Sequence, residues 1–223
     1  MRLKVIKIAG QAVQIAELLV REGQRWLLTP RAESLATALA DSLGALERLY
    51  AAIRTLPPYY ADPDYIAALK ASIDGHLAQL DFRPDALLAS FHGMPERTLK
   101  LGDPYYHQSV ETVRLLDVAM DLPVHMSFQS RFGRAKWLEP ETEATLTRLV
   151  KEGVRNIAVV TPGFSADCLE TLEEIGLRAK EVFLAEGGEK FAFLPCLNAS
   201  PEAITLYQRL VGRELSGWVD QRV

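Results

Sequence analysis

The chain has 223 residues, 48% of them hydrophobic and 24% charged, with 25 Lys plus Arg against 29 Asp plus Glu for a net charge of −4. At about 150 residues per domain this is roughly one and a half domains, apolar enough for a core and lacking the basic stripe of a nucleic-acid binder. Two cysteines, Cys168 and Cys196, exclude a disulfide framework, and no apolar run approaches the roughly 20 residues that cross a bilayer.

In chain order, Val5–Ile8 reads as a strand, Ala12–Arg21 as a short helix and Glu33–Ile53 as an Ala/Leu-rich helix. Residues 1–54 are therefore expected to be an atypical, mainly helical N-terminal segment. Gln11, Gln14 and Glu17 interrupt its basic-then-apolar start where a signal-peptide core would lie. With thiols that fit a reducing compartment, this points to a cytoplasmic protein. Thr55-Leu56-Pro57-Pro58 is a stiff connector to residues 55–223.

Beyond it, short apolar runs alternate with helical patterns. Asp85–Ser90, Val124–Phe128, Ile157–Thr161 and Phe191–Leu194 carry apolar residues on both parities, as strands buried on both faces require. Helical patterns cover Pro63–Leu80, Tyr105–Met120, Pro140–Glu152, Ala166–Glu186 and Pro201–Val211, with Pro63, Pro140 and Pro201 near their starts. Gly153 and Gly187-Gly188 stand where helices should stop. The repetition predicts an α/β fold: a doubly wound, parallel, four-stranded sheet preceded by a helical extension.

In such a sheet, ligands bind at the carboxyl ends of the strands. Here those ends read Ser90-Phe91-His92-Gly93-Met94-Pro95, Gln129-Ser130-Arg131-Phe132-Gly133 and Pro162-Gly163-Phe164-Ser165-Ala166-Asp167-Cys168-Leu169-Glu170. His92, just past a strand and before glycine, is either a histidine bonded to backbone or a base facing a cleft. Glu170 is either part of an Asp167-x-x-Glu170 capping box or a carboxylate aimed at the cleft, with Glu174 on the same face. His76, His107 and His125 read as ordinary, and both cysteines as small core-like residues. No phosphate-binding glycine loop, nucleophile elbow or zinc-protease motif is present.

The segments Ser90–Gln108 (SFHGMPERTLKLGDPYYHQ), Phe128–Thr142 (FQSRFGRAKWLEPET), Pro162–Ile175 (PGFSADCLETLEEI) and Phe193–Ile204 (FLPCLNASPEAI) together resemble bacterial ferrochelatases. The likeness runs from about Leu56 to Val211 and covers the second of the family's two similar α/β halves. It implies insertion of ferrous iron into protoporphyrin IX or a related porphyrin, a step of haem biosynthesis. It also implies that His92 and Glu170 are catalytic, that His92, Glu170 and Glu174 meet the metal, and that Ser130 and Trp137 face the porphyrin. Iron would be a substrate, with no tightly bound cofactor and no iron–sulfur cluster. The acidic line's third position falls on Arg178, and Cys168 stands where some relatives carry histidine. The expected partners are porphyrin and iron, a chain supplying the missing half, and at most a weak membrane-surface association. A second reading is a non-catalytic porphyrin- or metal-binding half-domain; a third is a chelatase that loads cobalt into a corrinoid precursor.

Overall fold

A computed structural model describes residues 55–217 throughout, with the backbone of 5–8, 11–14, 19–22 and 25–28 and residues 30, 33, 34, 37 and 40–44. The chain divides into two compact units, Met1–Thr55 and Leu56–Val223.

In the first unit, β1 (Val5–Ile8) pairs antiparallel with β2 (Gln11–Gln14), and β3 (Leu19–Glu22) with β4 (Arg25–Leu28). The strand at Val5–Ile8 is as expected; the helix expected over Ala12–Arg21 is not formed, since β2 and β3 occupy its two ends. The signal was the spacing. Ala9-Gly10 and Gly23-Gln24 are two-residue, glycine-containing spacers, which favour hairpins over helices. Helical residues occur at 33, 34, 37 and 40–44 within the expected Glu33–Ile53 helix, whose other positions lie outside the described residues. Its described residues comprise four four-residue strands and nine helical positions.

The second unit is a four-stranded parallel sheet in the order β6-β5-β7-β8, built from β5 (Ala86–His92), β6 (Val124–Gln129), β7 (Asn156–Val160) and β8 (Lys190–Phe193). All four expected strands form. β5 runs two residues further than expected, because Phe91 and His92 continue the ladder opposite Phe128 and Gln129. His92 is therefore the last residue of a strand rather than the first of a turn.

Alternate side chains leave the sheet on opposite faces. Leu87, Ala89, Phe91, Ala158 and Val160 pack under α1 (Pro63–Leu77), α3 (Tyr105–Ala119) and α7 (Pro201–Glu214), the last contributing Leu206 and Leu210. A short helix, α2 (Glu96–Lys100), precedes α3. Leu88, Ile157 and Val159 pack on the other face against α4 (Thr142–Lys151) and the helix that ends in α6 (Lys180–Ala185). The fold is doubly wound. Asp62 and Ser200 cap α1 and α7, with Pro63 and Pro201 in their first turns, where a missing N–H is harmless.

The helix expected over Ala166–Glu186 is broken into α5 (Leu169–Leu172), a π-helical turn (Glu174–Ala179) and α6. The Arg178 N–H reaches back five residues to the Glu173 carbonyl at 2.9 Å, which widens the turn. Among the described residues, no helix is long and apolar enough to cross a membrane.

Candidate active site

The carboxyl ends of β5, β6 and β7 meet at one edge. His92 closes β5 half-buried; its carbonyl accepts the Tyr105 hydroxyl at 3.0 Å, and its ring stands edge-on to Phe164 at 6.2 Å. Burial raises the pKa of Tyr105 and keeps its phenol a donor. The His92 Nδ1 is buried and has no hydrogen-bond partner. Buried polar atoms are rarely left so. The alternative of a histidine bonded to backbone is therefore not met at Nδ1.

Gly93 follows because nothing larger fits. Its N–H donates to the Gln129 carbonyl at 2.8 Å, and a Cβ there would lie 2.5 Å from that oxygen.

Glu170 opens α5. Its carboxylate accepts the Cys168 thiol at 3.0 Å. That bond, then its own backbone N–H and the charge of His92, hold its pKa below the usual carboxylate range against partial desolvation. The Asp167-x-x-Glu170 capping box is not formed. Cys168 is the N-cap, and its N–H donates to Thr171 Oγ1 at 3.0 Å. Asp167 instead accepts Asn198 Nδ2 at 2.7 Å and the Cys196 N–H at 3.1 Å, while its own N–H donates to Asn198 Oδ1 at 2.8 Å. This reciprocal pair ties the loop after β8 to the start of α5.

Glu174, on the π turn, accepts Ser130 Oγ at 2.5 Å, Gln129 Nε2 at 3.3 Å and Arg178 at 3.0 Å. Arg178 also bridges to Glu143 at 3.3 Å. Ser130 is held at φ 61°, in the left-handed region, with its hydroxyl spent on Glu174. Among the described residues no group of three His, Cys, Asp or Glu side chains is placed to hold a metal ion. His92, Glu170 and Glu174 are therefore not a preformed three-ligand set, since Glu174 is engaged by Ser130, Gln129 and Arg178.

Trp137 is only 6% exposed. Its Nε1 donates to the Phe132 carbonyl at 3.1 Å, and its ring lies 4.9 Å from that of Phe132, which is 74% exposed. Trp137 thus backs the site, with Phe132 between it and solvent. Beside His92 opens an aromatic cavity of about 180 Å³, lined by Phe164, Tyr59, Tyr65, Tyr105 and Tyr207. A polar cavity of about 240 Å³ lies over Ser130, Glu143, Glu174 and Arg178. His76 ends α1, His107 is exposed on α3 and His125 lies within β6, none of them at this edge. Gln129 and Tyr105 are the contributors that sequence reasoning missed; a polar residue ending an apolar strand was the available signal for Gln129.

The arrangement offers an imidazole whose buried Nδ1 has no partner and, in the first turn of α5, a carboxylate held ionised. That set can accept protons and pass them outward.

Comparison with known proteins gives this edge a family. The ferrochelatase family profile matches residues 31–215. A ferrochelatase of Rhizobium meliloti is 54% identical over 171 residues, covering 75% of this chain and 50% of its own length. One of Mesorhizobium japonicum is 46% identical over 216 residues, covering 92% of this chain and 61% of its own. A solved structure of a putative cobalamin (vitamin B12) biosynthesis CbiX protein from Marinobacter aquaeolei aligns with a TM-score of 0.45 at 14% identity, over 60% of this chain and 99% of that one. The profile begins well before Leu56, so the likeness reaches into the N-terminal unit, further than the four segments that first carried it. The chain spans about half the length of the first curated relatives it matches. With its matched residues spanning most of its length, the chain belongs to the ferrochelatase family.

Proposed function

We propose that this chain carries the proton-accepting side of a ferrochelatase site, at which ferrous iron is inserted into protoporphyrin IX or a related porphyrin for haem biosynthesis, a lyase-class reaction. The observation that supports it most is the His92 ring, with Nδ1 buried and unpartnered and Glu170 held ionised within its field.

The chemistry asks for such a pair. Two pyrrole N–H protons leave as one Fe²⁺ enters, with no change of oxidation state, so the enzyme must accept two protons per turnover. A flat macrocycle shields its nitrogen lone pairs, so binding it bent favours the reaction. His92 takes each proton in turn, its buried Nδ1 having no other partner. Glu170, partly exposed on α5, passes the proton to solvent or steadies the incoming cation. Iron is a substrate in this reading, in passing contact with His92 and Glu170 before the porphyrin nitrogens hold it; no tightly bound cofactor or iron–sulfur cluster is required. Ser130, Phe132 and Trp137 form the wall on the β6 side, and Glu174 stands one turn behind Glu170. The reaction is assigned to the cytoplasm.

Because the chain spans about half the length of its curated relatives, a second reading is a porphyrin- or metal-binding half-domain completed by a partner chain. Titration of protoporphyrin IX with the purified chain, alone and with a relative's first half supplied in trans, tests both. A saturable shift of the porphyrin absorption bands supports them, and no shift in either condition refutes them.

A further inference from the structure

We infer that Gln129 is the positioning residue that fixes Glu170 relative to His92, an inference that rests on the catalytic reading above. Gln129 is 4% exposed, and every polar atom of its side chain is used. Its Oε1 accepts the Ser90 hydroxyl at 2.8 Å. Its Nε2 donates to the Glu170 carbonyl at 2.6 Å and to Glu174 Oε2 at 3.3 Å. These two acceptors set the orientation of the amide, since only its NH₂ end can face them. On the strand side, Gln129 is the ladder partner of His92, and its carbonyl accepts the Gly93 N–H at 2.8 Å.

One residue therefore holds the base through its backbone and the carboxylate's helix through its side chain. Glu170 has few other restraints on that side: α5 is four residues long and runs directly into the π turn. Without the amide, the Glu170 carbonyl loses a donor, and the turn carrying the carboxylate keeps only the Ser130–Glu174 bond as a side-chain tie to the end of β6. A displacement of about 1 Å at a reacting group costs roughly a hundredfold in rate.

Gln129→Met removes both donors at nearly constant volume. Ser90 keeps a partner, because its hydroxyl lies 2.9 Å from Thr142 Oγ1. Gln129→Glu keeps the shape and the Ser90 acceptor but turns an oxygen toward the Glu170 carbonyl and the Glu174 carboxylate. It serves as the second variant should Gln129→Met fail to fold.

The test is hydrogen exchange of the backbone amides around residues 169–174 of the full chain, together with kcat and porphyrin KM for zinc or iron insertion. Expected in either variant are exchange about tenfold faster in that segment and kcat about 10- to 100-fold lower, with KM changed less than about twofold. Unchanged exchange overturns the inference whatever happens to turnover, and so does faster exchange with unchanged kcat. If the unsubstituted chain shows no metal insertion with a relative's first half supplied in trans, the catalytic reading fails, and exchange alone decides whether Gln129 holds Glu170.

Discussion

Replacing Gly93 by alanine tests whether β5 and β6 are clamped together at the site. Gly93 is not in the left-handed region, so alanine meets no backbone strain there and the effect is purely steric. The added Cβ would lie 2.5 Å from the Gln129 carbonyl oxygen and 3.4 Å from a ring carbon of Trp137. Real Cβ atoms essentially never come under 3.0 Å, so the strand ends must part by at least about 0.5 Å. The obstacle is backbone in a ladder and cannot rotate aside. Overpacking costs about 1–3 kcal/mol and the weakened Gly93–Gln129 hydrogen bond about 1 kcal/mol more, or roughly 2–4 kcal/mol together. In a domain of this size that lowers Tm by roughly 5–15 °C. Gly75 is the control, since it is exposed within α1 with nothing within 4 Å of a Cβ. Gly75→Ala should raise stability by about 0.5–1 kcal/mol. Urea unfolding followed by circular dichroism reads both, and a Gly93→Ala protein as stable as the unsubstituted chain would refute the clamp.

Two pH effects follow from the ionisable groups of the second unit. Asp85 accepts the backbone N–H groups of Asn156 and Arg155 at 2.8 and 2.9 Å, and these bonds hold its pKa below the ordinary value. Its contribution is present above the unfolded pKa and lost as pH falls through the folded one, so Asp85→Asn should flatten the acid loss of stability below about pH 4. Cys196 behaves oppositely: burial, opposed in part by a bond to Thr161, pushes its thiol up to about 12. The folded state keeps a proton that the unfolded chain loses, so stability declines as pH rises from about 8.5 toward 12. Cys196→Ala should lessen that slope, measured by urea midpoints between pH 8 and 10, and iodoacetamide should modify Cys196 only on unfolding.

The sheet was readable because strands covered on both faces carry apolar residues on both parities, and β5 is buried throughout from Ala86 to Phe91 with Ser90 its one polar residue there. Its end was misjudged because His92 and Gln129 are polar residues kept in the ladder by pairing, which no local pattern reveals. Of the short strands of the N-terminal unit, β2 and β3 were lost to the helical weight of Ala, Leu and Glu around them. In the helix after β7, each turn is compositionally helical. The π turn is accompanied by ties from Glu174 to Ser130 and Gln129, more than forty residues earlier in the chain. The site was half legible. Strand-end position singled out His92 and Glu170, whereas Gln129 and the Asp167–Asn198 pair act through partners distant in sequence.

The central claim is that His92 and Glu170 carry the proton transfers of porphyrin metallation. It is tested most directly by following the loss of free-porphyrin fluorescence as Fe²⁺ or Zn²⁺ is inserted anaerobically, with a relative's first half supplied in trans. The account predicts that His92→Ala abolishes insertion while unfolding at the same urea concentration as the unsubstituted chain. It also predicts that Glu170→Gln slows insertion by about 10²–10⁴-fold, the usual contribution of a positioned acid–base group. Insertion by His92→Ala at the unsubstituted rate would contradict it.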